Sequence, residues 1–360
     1  MKKLVIFIPS IESGGVEKIL LYIVEFLSKK KIDIYIVSAN RDKKKYFNQN
    51  VKFLCPINSN WNDSSRLVKT IICLKIIFTQ LPKKNISFLS FQSNISAILL
   101  SKLFGFKIII RLNTSINKYL SGFIKKTFFN KIYSLSDKII VNSSFFKKEL
   151  KKILHLDSTL ILNPINLKKK IRKKNINYFK NFNGIKILSI GRLTDQKDQI
   201  VILEALNRLK INKIKFKFFL IGKGYKLNEL KKYTKNKKLS NYIKFAGYKK
   251  DAFKYIASSD LFILSSKFEG LPNVIIEAQS QNIPIISSDC PTGPKEILLN
   301  GKLGTLFKVG DFTALSKEII KFSIDKRTYL RKVKLSKKYL YRYDYDNNLN
   351  KYYKTIKTIL

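Results

Sequence analysis

Histidine is almost absent from this sequence. Among 360 residues there is one, His155, and the three cysteines, Cys55, Cys73 and Cys290, lie far apart without the spacing of metal ligands. No zinc site and no general-base histidine can therefore be assigned. An odd, scattered cysteine set also argues against a disulfide framework. It favours unpaired thiols in a reducing compartment, so we expect a cytoplasmic protein.

Acidic residues are scarce as well. Lys and Arg total 71 against 24 Asp and Glu, so the net charge is 71 − 24 = +47. Such a charge attracts nucleic acid or an anionic membrane leaflet. However, nine of the 71 cations are Arg, and the lysine runs at 29–31, 43–45, 168–170 and 237–238 fall in separate predicted loops and helix ends. We interpret most of them as solvated surface and predict no nucleic-acid partner.

Long hydrophobic runs are missing too. The longest uncharged run, 85–101, has 17 residues but contains five serines, two asparagines and a glutamine. It is too polar to span a membrane. The apolar run at 4–8 is shorter than the core of a signal peptide and ends at Pro9. The sequence therefore predicts a protein that is soluble or attached to a membrane surface.

Short β-branched runs alternate with segments of helical period in both halves of the chain, which is the pattern of doubly wound α/β domains. We predict two tandem Rossmann-like doubly wound parallel-sheet domains facing a cleft, because open α/β sheets bind ligands at the carboxyl ends of their strands. The predicted strands are 3–8, 32–37, 86–91, 107–110 and 138–141, a strand ending near 161, and 186–190, 215–221, 242–245, 261–264 and 284–287. The predicted helices of the second half are 196–210, 227–237 and 273–281.

The domain boundaries follow from the same pattern. An N-terminal domain covers 1–165, a Lys- and Asn-rich linker covers 166–184, and a C-terminal domain covers 185–338. The terminal segment 339–360 carries Tyr, Leu and Ile at helical spacing. We predict that it forms a helix that packs back on the first domain.

The segment richest in chemistry follows the predicted strand 261–264. Glu269 lies in the loop at the carboxyl end of this strand, Gly270 lets backbone approach a ligand, and Pro272 suits the first position of a helix. The N–H groups at the start of that helix face an anion along its axis. They belong to Leu271, Asn273 and Val274. Glu277 lies more than one turn after the start of the helix, where a carboxylate can bind a ribose diol.

Seven residues separate Glu269 from Glu277. This spacing resembles the Glu-x7-Glu motif of glycosyltransferase family 4, the retaining enzymes of the GT-B architecture. Further pieces stand in the order expected of that family and span the whole second domain. They are Gly191-Arg192-Leu193 with Gln196-Lys197, Gly222-Lys223-Gly224, Phe245-Ala246-Gly247-Tyr248 and the run from Asp289 to Ile297.

The resemblance implies a role for each position. Arg192 and Lys197 hold the diphosphate of a nucleotide-sugar donor, Glu269 binds hydroxyls of the transferred sugar, and Glu277 binds the ribose. Two cations and helix N–H groups can stabilise a leaving diphosphate without a metal. No metal and no other cofactor is therefore predicted. The implied donor contacts also include Gly270, Leu271, Asn273, Val274, Gly222, Gly14 and Gly15.

The first half offers less. Ser13, Gly14 and Gly15 follow the first predicted strand and resemble the glycine loop of the family; a plain tight turn is the alternative reading. Many relatives place a histidine after the strand that matches 107–110, whereas this chain has Arg111 and Asn113 there. We predict that these two residues position substrates on the acceptor side, and that His155 is a surface residue.

Asp344 and Asp346 match the Asp-x-Asp metal motif of the other large glycosyltransferase architecture. They fall in a helical, Tyr- and Lys-rich segment rather than after a strand. We interpret them as carboxylates on a helix surface.

The segment 117–138 interleaves aromatic and aliphatic residues with lysines. A basic aromatic helix of this kind can lie in a membrane interface, and packing of the same stripe into a core is the alternative.

Together these features predict a retaining glycosyltransferase. It would move a hexose or N-acetylhexosamine from a nucleotide diphosphate sugar, with UDP as the default, to a lipid-linked or surface-glycan acceptor at the inner face of the cytoplasmic membrane. Two alternatives stay open: a GT-B nucleotide-sugar epimerase, and a basic nucleic-acid-binding protein. The epimerase is disfavoured because this chain lacks extra acid/base histidines.

Overall fold

The computed structural model describes residues 2–12, 14–58, 61–82, 84–117, 120, 122–167 and 177–360. The chain forms two compact units. The first unit is Met1–Pro164 with Tyr345–Leu360, and the second unit is Ile165–Asp344. Of the predicted linker, residues 168–176 lie outside the described part of the chain.

The first unit is built on a parallel sheet of seven strands. Its strands are β1 (Lys3–Phe7), β2 (Asp33–Val37), β3 (Val51–Leu54), β4 (Ile86–Ser90), β5 (Lys107–Leu112), β6 (Lys138–Val141) and β7 (Thr159–Leu160). They are ordered β3-β2-β1-β4-β5-β6-β7. Most of the central strand residues are fully buried, because parallel strands are covered on both faces. The strand β3 has no counterpart in the prediction, since its four residues alternate in burial and lie at the edge of the sheet.

Helices cover this sheet. They are α1 (Gly15–Leu27), α2 (Arg66–Gln80), α3 (Asn94–Leu103), α4 (Phe123–Ser134) and α5 (Ser144–Leu154). Side chains of α2, α3, α4 and α5 share one hydrophobic core with alternate residues of the strands, among them Val5 and Phe7. The alternation follows from the two-residue period of a strand.

A C-terminal helix, α13 (Tyr345–Lys357), belongs to the first unit. It packs against α1, where the rings of Tyr22 and Tyr345 meet edge to face at 5.1 Å. The Ser87 hydroxyl in β4 donates to the Ile359 carbonyl at 2.6 Å. A 3-10 turn, Lys337–Tyr343, precedes this helix, so the helical spacing read over 339–360 is interrupted at Asp344.

The second unit carries a parallel sheet of six strands. Its strands are β8 (Ile185–Ile190), β9 (Phe216–Ile221), β10 (Ile243–Phe245), β11 (Leu261–Leu264), β12 (Ile285–Ser288) and β13 (Thr305–Phe307), in the order β10-β9-β8-β11-β12-β13. The edge strand β13 was not predicted, because its three residues are too few to show a period.

The helices of the second unit are α6 (Gln199–Ile211), α7 (Leu227–Asn236), α8 (Phe253–Ala257), α9 (Asn273–Ser280), α10 (Pro294–Ile297), α11 (Phe312–Ile324) and α12 (Lys326–Ser336). The prediction that α6 begins at Gln196 is wrong. Asp198 adopts a left-handed backbone with φ +48°, which cannot continue a right-handed helix. Gln196 and Lys197 therefore lie on a loop. Within the described ranges, no helix combines the length and the apolar character needed to cross a membrane.

Candidate active site

Three motif pieces meet at the carboxyl edge of the second sheet. The Gly191 N–H donates to the carbonyl of Ile221 at 3.0 Å, and the Leu193 N–H donates to the carbonyl of Lys223 at 2.9 Å. On the next strand, the Gly222 N–H donates to the Gly247 carbonyl at 3.0 Å. Backbone hydrogen bonds thus connect the loops after β8, β9 and β10. The motif pieces on these loops, although separate in the sequence, lie side by side in the fold.

Gly222 is required by this stacking. Its φ is +153°, and a Cβ atom there would overlap the carbonyl oxygen of Gly191. Gly191 itself has the Lys197 side chain 3.4 Å from the position of a Cβ. Close approach of two backbones therefore brings the Arg192 loop against the β9 loop, and glycine is the residue that permits it.

The loop after β8 carries the predicted cations. Arg192 is exposed, and its Nη2 lies 3.5 Å from Oε1 of Gln196. The Gln199 side-chain amide donates to the Arg192 carbonyl at 2.8 Å, which fixes the backbone at that point. Arg192 is thus presented to solvent from a held backbone, as a contact to an anionic ligand requires.

Asp195 anchors the same loop from the other side. The Tyr225 hydroxyl donates to Asp195 Oδ2 at 2.6 Å, and Lys226 Nζ lies 2.9 Å from Oδ1. The hydrogen bond from Tyr225, with Lys226 beside it, lowers the pKa of the Asp195 carboxyl below its usual value. Asp195 therefore stays ionised and links the β8 loop to the start of α7.

Lys197 and Glu269 form one ion pair. Lys197 Nζ lies 2.5 Å from Glu269 Oε1, and the two side chains are 15% and 7% exposed. The Ser266 hydroxyl donates to the same carboxylate oxygen at 2.6 Å. The sequence predicts that Lys197 binds the diphosphate and that Glu269 binds the sugar. In the structure these two side chains contact each other.

Side chains that the sequence analysis did not select hold the two loops together. Gln196 Nε2 donates to the Phe268 carbonyl at 3.0 Å, and the Ser265 hydroxyl donates to the Lys197 carbonyl at 2.8 Å. The Thr292 hydroxyl donates to the carbonyl of Glu269. These bonds join a side chain to a distant backbone carbonyl, so no local sequence pattern signals them. Gln196 and Thr292 lie within the motifs that resemble family 4, and the sequence predicts no separate role for either.

The helix α9 begins at Asn273, as predicted, but Pro272 is not its first residue. Pro272 has an extended backbone, with ψ +100°, and precedes the helix, which begins at Asn273. Leu271, Asn273 and Val274 lie around this first turn, where amide groups have no carbonyl partner within the helix. Glu277 lies on the same helix and is 3% exposed. Its predicted contact with a ribose is untested.

Gly270 is packed against a second loop. Gly293 has φ +78°, and a Cβ atom there would overlap the Gly270 carbonyl oxygen. The loop before α10 therefore supports the backbone beside Glu269. This contact explains why a Thr-Gly pair follows β12.

The glycine pair of the first unit lies where the sequence predicts. Gly14 is the N-cap of α1, and Gly15 is its first residue; Ser13 lies outside the described residues. The Glu12 N–H donates to Glu17 Oε1 at 3.3 Å, and Glu17 Oε2 lies 2.9 Å from the position of a Cβ on Gly14. A carboxylate of the chain itself therefore lies over this helix start.

Arg111 does not fit its predicted place on the acceptor side. Its side chain is 1% exposed; Nε donates to the Tyr352 hydroxyl at 2.7 Å and Nη2 to Asn163 Oδ1 at 2.8 Å. The bond from Nε joins β5 to α13, while the buried Nη1 has no hydrogen-bond partner among the described residues. Asn113 is half-buried and donates from Nδ2 to the Phe91 carbonyl at 3.0 Å, while its buried Oδ1 has no partner within the described chain. The predicted contact of Asn113 with a substrate stays a prediction.

The remaining polar predictions concern the surface and metals. His155 is exposed at the end of α5, which confirms its reading as a surface residue. Asp344 is half-buried before α13, and Asp346 is exposed in its first turn; neither follows a strand. Among the residues that the structure describes, no three His, Cys, Asp or Glu side chains cluster as a metal site.

Comparison with known families decides the class of the protein. Residues 170–339 match the family described as glycosyl transferases group 1, and residues 13–169 match Glycosyltransferase Family 4. An uncharacterised glycosyltransferase of Methanocaldococcus jannaschii is 30% identical over 293 residues, which cover 72% of this chain and 70% of that one. The chain belongs to the family 4 glycosyltransferases.

Two further comparisons of this glycosyltransferase are informative. One is the N-acetylgalactosamine-N,N'-diacetylbacillosaminyl-diphospho-undecaprenol 4-alpha-N-acetylgalactosaminyltransferase of Campylobacter jejuni, which is 24% identical and covers 94% of this chain and 93% of its own length. The crystal structure of Anabaena HepE in complex with UDP and glucose superimposes with a TM-score of 0.79 at 16% identity, covering 99% and 100% of the two chains. The similarity to the HepE structure shows that this chain has the GT-B fold.

Proposed function

We propose that this glycosyltransferase moves a hexose or N-acetylhexosamine from a UDP-sugar to a lipid-linked or surface-glycan acceptor, with retained anomeric configuration. The observation that carries the donor half is the carboxyl edge of the second sheet. There Arg192 and Lys197 share one loop, and Lys197 contacts Glu269 directly. Two cations beside a buried carboxylate suit a ligand that carries a diphosphate at one end and hydroxyls at the other.

The residues divide the chemistry between them. As the bond between the sugar anomeric carbon and the phosphate oxygen breaks, Arg192, Lys197 and the first amides of α9 stabilise the charge gained by the departing diphosphate. Glu269 accepts hydrogen bonds from hydroxyls of the sugar. The acceptor oxygen bonds to the anomeric carbon on the face that the phosphate leaves, and its proton passes to the departing phosphate oxygen. No protein base and no metal is needed for this step.

The acceptor half rests on relatives. The Campylobacter jejuni enzyme is named for a diphospho-undecaprenol-linked acceptor and for an alpha linkage. HepE was crystallised with UDP and glucose. The first supports an acceptor carried on a lipid diphosphate for this chain, and the second supports a UDP-sugar donor.

A basic, apolar helix end supports membrane contact. Phe123 and Ile124 at the start of α4 are 83% and 84% exposed, and Lys125 and Lys126 beside them are exposed too. The later part of the helix packs into the core through Tyr133, so core packing applies to that end of the segment. We propose that the exposed end lies on the anionic inner face of the cytoplasmic membrane, where lysines and apolar side chains act together.

A transfer assay tests the proposal. The full chain is incubated with UDP-glucose, UDP-galactose, UDP-GlcNAc or UDP-GalNAc and with polyprenyl diphosphate-linked GlcNAc or GalNAc. We expect one donor to add one sugar to the lipid, detected by mass spectrometry, with the donor's anomeric configuration in the product by NMR. An inverted product rejects retention. Epimerisation of a nucleotide sugar without acceptor favours the epimerase alternative.

A further inference from the structure

Lys69 is a buried lysine without a carboxylate partner in the described chain. It lies on α2 and is 6% exposed. Its Nζ donates to the Asn62 carbonyl at 2.6 Å and lies 3.4 Å from the Ser10 hydroxyl. Both are neutral oxygens. No Asp or Glu of the described residues comes within 4.0 Å of Nζ, and none of the undescribed residues is acidic.

This arrangement is unusual on physical grounds. A buried ammonium that leaves water is normally paired with an anion, because neutral acceptors alone do not offset its lost hydration. Lysine also has three N–H donors, and two are engaged here. The third N–H, and the long bond to Ser10, are available to a stronger acceptor.

The position of Lys69 in the fold points to a ligand. Ser10 follows β1, and its N–H donates to Oε1 of Gln92, which follows β4, at 3.1 Å. The Ile11 N–H donates to Oδ1 of Asn40, which follows β2, at 2.9 Å. The strand β1 lies between β2 and β4, so the chain changes direction across the sheet at this point. Ligands of open parallel sheets bind outside the carboxyl ends of the strands at such a switch point.

We propose that Lys69 binds a phosphate group at the switch point of the first sheet. A phosphate group supplies the negative charge and the acceptor oxygens that are missing around the Lys69 ammonium. Two sources share this chemistry: the diphosphate of the nucleotide-sugar donor, and the phosphate of a lipid-linked acceptor. The assignment of the source rests on the proposed function, whereas the anion site itself does not.

Inorganic pyrophosphate is the probe. The cations of the second unit are first removed by Arg192→Ala with Lys197→Met, and pyrophosphate binding to the full chain is measured by calorimetry with and without Lys69→Met. We expect Lys69→Met to weaken pyrophosphate binding about ten-fold, the loss of one charge-assisted hydrogen bond. Lys69→Arg keeps the charge and should retain binding. Lys75→Met, an exposed lysine of the same helix, is the matched control and should have no effect.

UDP binding to the otherwise wild-type chain then assigns the source. If Lys69→Met weakens UDP binding as well, the bound group is the donor diphosphate. If UDP binds normally while pyrophosphate binding falls, the group belongs to the acceptor. Pyrophosphate binding unchanged by Lys69→Met, with native thermal stability, overturns the proposal. The pyrophosphate result does not depend on sugar transfer, so a failed transfer assay would leave it standing.

Discussion

Lys197 Nζ and Glu269 Oε1 lie 2.5 Å apart, on loops that follow two neighbouring strands, β8 and β11. Each side chain is largely buried, and each is the closest opposite charge of the other in the site. In the function proposed above, a donor whose diphosphate binds Lys197 would loosen this pair and release the Glu269 carboxylate for sugar hydroxyls. The proposal therefore assigns to this pair the link between diphosphate binding and sugar binding.

Removal of the cation should be more costly than removal of the anion. Lys197→Met leaves the Glu269 carboxylate, 7% exposed, with the Ser266 hydroxyl as its remaining side-chain hydrogen-bond donor among the described residues. We expect a loss of about 1–3 kcal/mol in the free energy of unfolding, measured by urea titration. Glu269→Gln should cost less, because an amide keeps the hydrogen bond of Ser266 and Lys197 is the more exposed partner. Lys231→Met, an exposed lysine on α7, is the control. Equal effects of the two site variants would contradict this reading of the pair.

The stacking of the β8 and β9 loops can be tested with a pair of glycines. Gly222→Ala places a Cβ atom on the Gly191 carbonyl oxygen. We therefore expect the free energy of unfolding to fall by more than about 2 kcal/mol and UDP binding to weaken. Gly247→Ala also has a positive φ, +64°, but nothing within 4 Å of the Cβ position. Gly247→Ala should lower the free energy of unfolding by only about 1 kcal/mol, the cost of a left-handed backbone in a residue with a Cβ atom. Thermal unfolding of both variants measures the difference, and similar melting points would argue against steric contact.

The sequence was most informative about the site residues of the second unit. Its buried strands are runs of apolar residues, so five of the six were located, and Glu269 and Glu277 could be placed by their spacing. What the sequence did not indicate are contacts across loops. The bond from Gln196 to Phe268 and that from Thr292 to Glu269 each join residues distant in the chain, and one partner is always a backbone carbonyl.

The errors have physical causes of the same kind. Arg111 is predicted on the acceptor side because many family 4 relatives place a histidine at this point of the chain. Its side chain instead turns to Tyr352, 241 positions later, which no local pattern reveals. The burial of Lys69 is likewise not evident from the sequence, since no local pattern shows that its Nζ meets the Asn62 carbonyl.

The thiols of Cys73 and Cys290 should resist alkylation in the native protein. Burial raises the pKa of both thiols to about 12, and for Cys290 the Glu269 carboxylate adds to the effect. The unfolded chain, with a thiol pKa near 9.0, loses these protons first. Stability contributed by the protonated thiols is thus complete below that value and declines as the pH rises towards 12.

Mass spectrometry after iodoacetamide treatment at about pH 8 is the measurement. We expect modification of the half-buried Cys55 alone in the native state, and of all three cysteines in urea. Rapid native labelling of Cys290 would show that the loop beside Glu269 opens readily.

Membrane contact should depend on the exposed end of α4. Phe123→Ser with Ile124→Ser removes two apolar side chains that touch little else, so the fold should be unaffected. We expect the variant to lose co-sedimentation with phosphatidylserine-containing vesicles at low salt, because apolar burial and charge act together. Ile324→Ser, which alters an 81% exposed residue of the second unit, is the matched control. Binding of the α4 variant equal to wild type would remove this helix from the membrane surface.

Donor binding tests the central claim most directly. Thermal shift is measured for the wild-type chain, Arg192→Ala and Glu269→Ala against UDP, UDP-glucose, UDP-galactose, UDP-GlcNAc and UDP-GalNAc. We predict that one UDP-sugar stabilises the wild type above UDP itself, that Arg192→Ala loses the response to UDP and UDP-sugar alike, and that Glu269→Ala keeps the response to UDP but loses the increment from the sugar. Equal stabilisation of all three proteins by that UDP-sugar, or none in the wild type by any nucleotide, would contradict the assignment of the carboxyl edge of the second sheet as the donor site.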